Sequence, residues 1–380
     1  MTAPRPSDAG EVRDAIADAV RDGGRIAIRG GGSKDGVGRD CPDATILDMS
    51  GLAGGIDYDP PELVLTAGAG TPLAEIQALV AGEGQMLAFE PFDHGPLFGR
   101  AAGAATIGGV IAAGVAGSQR LAHGGARDHL LGFEGVSGRG EAFVAGAKVV
   151  KNVTGYDLSK LVTGSWGRLV ALTAVTLKVL PRPRKRATVA VEGLGVAEAV
   201  AAMARAMGSP AEVSAAAHVP AQGGWASHTV LRVQGFGPSV AARAQLLEAA
   251  LPGARTLGDE DAAAVWEQLR TLAPLADSLV LWRVNVPPSA APALVAAAEA
   301  QGARWLIDWA GGLVWIGAGE PGAIRAAAQA AGGHATLVRA PEAIRATTPA
   351  LHPQPSAVAA LEERVRRAFD PAGVFETGRF

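Results

Sequence analysis

The sequence predicts an α+β protein built in two parts, and three stretches carry that reading. Arg29-Gly30-Gly31-Gly32-Ser33-Lys34 follows a short alternating strand, Arg25 to Arg29, in a first part full of glycine turns. Residues 187–350 are different: six strand-like runs alternate with alanine-rich helices, the pattern of a domain with one antiparallel sheet. Between them, Pro181-Arg182-Pro183-Arg184-Lys185-Arg186 reads as a stiff, basic, solvated linker. The boundaries that follow are 1–183, 184–350, and a last helix with its tail at 351–380.

Composition limits what such a chain does. Of 380 residues, 48% are hydrophobic and 19% charged, which supports a packed core and argues against disorder. A net charge of -3 gives no footprint for nucleic acid. No uninterrupted apolar run approaches membrane-spanning length, and the first residues have no apolar signal core. A cytoplasmic protein is expected, with membrane association arising only through a partner. Cys41 is the single cysteine, so an internal disulfide, a self-contained iron–sulfur cluster and a Cys-rich zinc site are all excluded.

In the first part, residues 8–22 form a helix with Val12, Ile16 and Ala19 on one face, capped by Ser7 or Asp8 and ended by Gly23-Gly24. Three successive glycines after the next strand accept strained angles cheaply and can turn several N–H groups toward one anion, with Lys34 adding charge at the rim. This loop is neither a Walker loop nor a GxGxxG fingerprint. Thr45–Met49 is a strand, and 56–59 with 63–67 a hairpin. Thr71 is read as the cap of a helix that has Pro72 in its first position. Residues 105–117 are nearly all small, which permits close approach of a neighbouring helix or a flat ligand. A second glycine loop, Gly124-Gly125-Ala126-Arg127-Asp128, ends this region. Strands are expected at 130–136, around Phe143-Val144 and at 169–180, with a short helix ending near Leu161.

In the second part, strands fall near 212–219, 228–236, 278–286, 303–310, 313–318 and 334–340. Helices fall near 196–207, 239–251, 261–272, 290–302 and 321–332. Gly311-Gly312 marks a hairpin, and Trp282, Trp305, Trp309 and Trp315 read as packing residues, with room for one to line a substrate cavity. Near the C-terminus, Ser356 is read as the cap of a helix that turns Leu361, Val365 and Phe369 inward.

Five stretches together resemble the FAD-binding domain of the vanillyl-alcohol oxidase / p-cresol methylhydroxylase (PCMH) flavoproteins: RGGGSK at 29–34, ATIGG at 105–109, GGARDHLLG at 124–132, KNVTGYDLSKLVTGSWG at 151–167 and FDPAGVFETGRF at 369–380. The last two, with DYDPPELVLTAGAGTPLAEI at 57–76, are similar to the FAD-binding subunits of bacterial glycolate oxidases. The resemblance implies a two-part PCMH-type FAD-binding domain, an α+β cap domain with an antiparallel sheet, and a tail that returns to the FAD domain. It implies that Gly30, Gly31, Gly32 and Ser33 hold the FAD diphosphate, flanked by Arg29 and Lys34. Thr106, Gly108, Gly109, Ala113, Gly114 and Ala116 then lie along the cofactor. Pro91, Arg127 and Asp128 give further contacts, and Leu169 touches adenine. Relatives that attach the flavin covalently use a His or Cys in the first loop, and Ser33 at that position implies noncovalent FAD. Glu376-Thr377 replaces the family's usual Asn-Pro in the tail, which leaves a flavin contact from there open.

The same resemblance implies oxidation of a 2-hydroxy acid, glycolate to glyoxylate, beside a homologous FAD subunit and an iron–sulfur subunit of a glycolate oxidase complex. A single cysteine agrees with an electron acceptor located in another chain. The homologous subunit's histidine-rich metal motif has no counterpart among the seven histidines here. No catalytic residue is chosen: His94 and His123 are the base candidates, although loop histidines more often serve structure or face solvent. Arg100, Arg120 and Arg127 are candidates for holding a carboxylate. Two other readings stand beside this one, a non-catalytic FAD-binding assembly subunit and a stand-alone FAD oxidase that uses oxygen.

Overall fold

The computed structural model describes residues 3–146, 155–222, 226–317 and 321–380. Lys151 to Thr154, part of one family-like stretch, lie outside them. The chain opens with α1 (Ala9–Asp22), where the Asp8 carboxylate accepts from the Glu11 N–H and Gly23 closes the helix at a φ of 66°. β1 (Ile26–Arg29) and β2 (Thr45–Asp48) form a parallel pair. β3 (Asp57–Asp59) and β4 (Val64–Gly68) are the expected hairpin.

α2 (Leu73–Gly82) begins one residue later than read, and Thr71 does not cap it. The Thr71 hydroxyl is drawn off by Gly54, accepting from its N–H at 3.0 Å and donating to its carbonyl. The small-residue stretch contains α3 (Ile107–Ala113), where Thr106 Oγ1 accepts from the Gly109 N–H and Gly114 ends the helix at a φ of 63°. β5 (Leu130–Ser137), β6 (Ala142–Gly146) and β7 (Val170–Lys178) follow. These complete a five-stranded antiparallel sheet in the order β3-β4-β7-β5-β6.

The basic stretch at 181–186 is solvent-exposed, as read, but it is not a free linker. Leu180–Pro181 pairs with Gln85–Met86, Arg182 Nε donates to the Gln85 carbonyl at 3.0 Å, and β8 (Lys185–Glu192) has already started. Pairing overrides a charged composition here because the side chains stay exposed while the backbone pairs, and two of them, Arg182 and Arg186, line a cavity. Next come α4 (Val196–Met207), β9 (Ala215–Val219), β10 (His228–Gly235), α5 (Gly237–Ala250) and β11 (Arg255–Thr256). They are followed by α6 (Asp259–Thr271), β12 (Leu281–Asn285), α7 (Ala291–Glu299), β13 (Arg304–Asp308), β14 (Leu313–Gly317), α8 (Pro321–Ala330) and β15 (His334–Arg339). The eight strands form one antiparallel sheet, ordered β11-β8-β10-β9-β13-β14-β12-β15.

Both faces of that sheet are apolar, and strand alternation divides them. Val189, Leu231, Trp282, Ile307 and Val314 pack beneath the alanine-rich helices. Ala190, Val230, Leu281, Leu306 and Trp315 share a core with the five-stranded sheet and α2 and α3. The shared core takes in Phe89, Phe92, Leu97 and Ala105, which seats the second sheet over the segment that precedes α3. α9 (Ser356–Phe369) starts without a side-chain cap, since Ser356 is its first residue after Pro355. Of its expected inward face, Val365 and Phe369 are half-buried and Leu361 is exposed, because the helix lies on the edge of the first part. Asp370 then reverses the chain by accepting from the Val374 and Phe375 N–H groups, and both side chains enter the core around α1.

Candidate functional site

The glycine loop is fixed by charge on one side and by crowding on the other. Arg29 pairs with Asp35 at 2.7 Å, and Arg100 reaches both Asp35 and the Gly32 carbonyl. The tail adds a clamp: Arg379 donates to the carbonyls of Lys34, Asp35 and Val37. A Cβ at Gly31 would meet the Ala104 carbonyl oxygen at 1.7 Å, and one at Gly30 would meet Thr106 Oγ1 at 2.3 Å, so no larger residue fits between loop and α3. Among the described residues, the N–H groups of Gly31, Gly32, Ser33 and Lys34 have no backbone partner, although Asp35 and Val37 donate back into the loop. The Lys34 ammonium, which has no carboxylate at ion-pair distance, is lowered by burial to about 8.

These donors face a cleft of about 100 Å³. It is lined by Arg29 to Lys34, by Thr106, Gly108, Gly109 and Ala113 of the small-residue stretch, and by Ile28, Met49, Trp166, Val170, Leu172 and Phe380. A cavity of about 90 Å³ shares Ala113 and Trp166 with it and adds Gly114 and Ala116. A third, of about 660 Å³, shares Phe92, Ala116 and Trp315 with the second and reaches Pro91. The three form one path from β1 to the gap between the sheets.

The path brings together most of the residues read from the sequence and leaves out three. Leu169 is buried but off the cleft, because the β7 side chains that reach it, Val170 and Leu172, have the other parity. Asp128 accepts from the Gly125 N–H and holds its own loop, and Arg127 lines none of the three cavities. Sequence reasoning missed Ile28, Met49, Trp166 and Phe380, apolar residues that look like ordinary core in one dimension. It also missed that Arg182 and Arg186 line the large cavity with Arg232, Glu90 and Asp308. Glu90 and Arg232 pair at 2.7 Å, and two bonds from Gln119 help hold the carboxyl below its ordinary range despite burial. Asp308, fully enclosed, accepts from Ser118 and the Trp309 N–H, and burial pushes it up to about 6. His129 is structural, bonded to the His123 and Lys178 carbonyls. His123 meets Gln234 at 3.0 Å.

Residues 4–146 match the family described as FAD binding domain. Over 369 residues, 96% of this chain and 95% of the relative, the sequence is 35% identical to glycolate oxidase subunit GlcE of Escherichia coli (strain K12). The chain belongs to the FAD-binding flavoprotein family of that subunit. D-lactate dehydrogenase of Archaeoglobus fulgidus is 29% identical over 189 residues, 49% of this chain and 40% of that protein. A solved structure of alkyldihydroxyacetonephosphate synthase superposes with a TM-score of 0.68 at 15% identity, covering 98% of this chain and 77% of the other, and shows the fold alone.

The family's cofactor is FAD, and its members are FAD-dependent oxidoreductases with the PCMH-type fold. The cleft fits that cofactor. Four successive unpartnered N–H groups and an unpaired ammonium suit a diphosphate. A Cβ at Gly109 would stand in the cleft, touching only Thr106 Oγ1 at 3.2 Å, so the missing side chain leaves room for a flat ligand. Among the described residues no helix is long and apolar enough to cross a membrane, and no group of His, Cys, Asp and Glu is placed to hold a metal.

Proposed function

We propose that this chain is the FAD-binding subunit of a glycolate oxidase complex, in which a small 2-hydroxy acid, glycolate, is oxidised to glyoxylate and electrons pass to a partner chain. The observation that carries the reading is 35% identity to a glycolate oxidase subunit along nearly the whole of both chains. The similarity to a D-lactate dehydrogenase agrees with a hydroxy acid as the substrate class. When bound, FAD supplies the two-electron oxidant that such a step needs.

In this reading residues 1–183 with 351–380 hold the cofactor, and 184–350 cap it. The N–H groups of Gly30 to Ser33, flanked by Arg29 and Lys34, hold the diphosphate without a covalent bond, since Ser33 offers none. Thr106, Gly108, Gly109, Ala113, Gly114 and Ala116 line its length, and Pro91 lies toward the ring end. The partners in this reading are a homologous FAD subunit and an iron–sulfur subunit, because this chain has one cysteine and must deliver its electrons elsewhere.

The test is an absorbance spectrum of the purified chain, repeated anaerobically with glycolate. Flavin bands that bleach establish cofactor and substrate oxidation in this subunit. Bands that persist with glycolate, in the chain and in its complex, sink the substrate reading. A chain that takes up no FAD sinks the role given to the glycine loop.

A further inference from the structure

In a chain of net charge -3, the stretch at 181–186 gathers Arg182, Arg184, Lys185 and Arg186. All four are exposed, and among the described residues none has a carboxylate at ion-pair distance. Other exposed cations of this chain do find one, as Arg13, Arg21, Arg255 and Arg270 show. Glu83 lies on the turn whose Gly84 carbonyl accepts from the Arg182 N–H, yet it forms no pair there, and Glu90 is taken by Arg232. The fold fixes this group in place. Lys185 stands opposite Gly235 and Arg186 opposite Gln234 on β10, so the two side chains leave opposite faces of the sheet. Phe236 follows on the connection to α5 and is 63% exposed. A Cβ at Gly237 would touch Lys185 Cγ at 3.6 Å, which makes Phe236 and Lys185 neighbours at one rim of the sheet. Arg182 and Arg186 line the cavity of about 660 Å³, so it opens to solvent at that rim.

Like charges held this close repel one another, and an exposed aromatic ring leaves apolar surface in water. A partner that brings carboxylates and an apolar pocket relieves both, and aromatic and arginine side chains are the usual anchors of protein interfaces. We propose that this rim is a docking surface for another protein chain, one that presents acidic side chains around an apolar pocket for Phe236, and that this chain is the electron acceptor of the function proposed above. The position of the rim selects the acceptor. The large cavity is part of the path through the molecule and reaches Pro91, so a chain seated at its mouth stands where that path opens. The partner's identity rests on the proposed function; the surface does not. A membrane fits the rim less well. Each basic residue adds only about 1 kcal/mol at an anionic surface, a single Phe would enter, and Arg182 and Arg186 border a concave mouth that a planar surface does not follow.

The test measures calorimetric binding of the FAD-loaded full chain to the purified iron–sulfur subunit of its complex, at about 50 and about 300 mM salt. Binding should weaken with salt. The double variant Arg184→Glu with Lys185→Glu should lose about tenfold or more at low salt, and with it most of the salt dependence. Phe236→Ala should also lose about tenfold but keep the salt dependence. Arg13→Glu, on α1, controls for net charge and should bind like the parent. Circular dichroism and flavin content establish that each variant is folded and loaded. Parent-like affinity in the double variant or in Phe236→Ala, or an equal loss in Arg13→Glu, overturns the proposal. So does a parent chain that does not bind the subunit. A rim that serves a membrane or a second copy instead shows as binding to phosphatidylcholine–phosphatidylglycerol vesicles, or as dimerisation, that these substitutions abolish while subunit binding persists; either result overturns the proposal. Salt-sensitive binding through these residues, in a complex whose flavin glycolate never bleaches, keeps the surface and removes the substrate reading. Bleaching in a complex whose assembly is indifferent to them does the reverse.

Discussion

Lys34 sits among backbone donors with its ammonium lowered to about 8 by burial. A bound diphosphate stabilises the charged form, so FAD affinity is full below that value and weakens as pH rises through it, by up to about tenfold per pH unit above 8. Fluorescence titration of FAD at several pH values checks this: Lys34→Met should bind more weakly and lose the pH dependence in that range. Asp308 has a linkage of the same sign, in folding rather than in cofactor binding. Its folded value near 6 lies above the ordinary carboxylate value of 3.8, so the folded state binds the proton more tightly. Its contribution is present below pH 4 and lost as pH rises toward 6, on the order of 3 kcal/mol. Urea unfolding at pH 4 and pH 7 should show a smaller difference of that sign in Asp308→Asn than in the parent. At Gly31 the limit is steric: an alanine Cβ would collide with the Ala104 carbonyl, a backbone atom that cannot swing aside. Gly31→Ala should cost about 1–3 kcal/mol in stability and should lose FAD, read by thermal melting and flavin content.

At the scale of elements, the tail decides how firmly the glycine loop is held. Asp370 turns the chain after α9, Val374 and Phe375 anchor it beside α1, and Arg379 then ties together three carbonyls of the loop. Phe380 meets Trp166 at 5.1 Å and lines the cleft. Removing only Arg379 and Phe380 leaves those anchors in place. The truncated chain should therefore keep its fold while its FAD affinity falls by about tenfold, as for losing several hydrogen bonds from one charged group. Circular dichroism and FAD titration on the same sample separate the two effects. The helix and strand pattern of this region was legible, because caps, periodicity and breakers act locally. Its destination was not: Thr71 found Gly54, and Leu361 stayed in solvent, through neighbours distant in sequence.

At the scale of the molecule, the site exists because two sheets share one core. Glu90, from the loop after α2, and Arg232, on β10, pair across that gap, and Arg232 also lies 4.0 Å from the Trp266 ring centre. Arg232→Met leaves Glu90 partly buried and without its counter-charge, and should cost about 3 kcal/mol by denaturant unfolding. Adding Glu90→Gln should restore much of that loss, since the carboxylate is then gone. The six strand-like runs of the second part were read from alternation alone, with β8 missed because its first residues are Lys185 and Arg186. Of that stretch, Arg182 and Arg186 line a cavity, which a linker reading does not foresee.

By itself the sequence determined the α+β class, the run of elements, the single antiparallel sheet of the second part and the glycine loop with its small-residue companion. Each follows from local rules: period-two and helical spacing, turn chemistry, and glycine where a side chain has no room. Only the tertiary structure decided that Ile28, Met49, Trp166 and Phe380 wall the cleft, that Leu169 faces away from it, that His94 lines the middle cavity of the path, and that Lys185 and Phe236 share one rim of the second sheet. Those facts depend on which chain segments lie opposite one another, and a charge is known to lack a partner only when every neighbour has been placed.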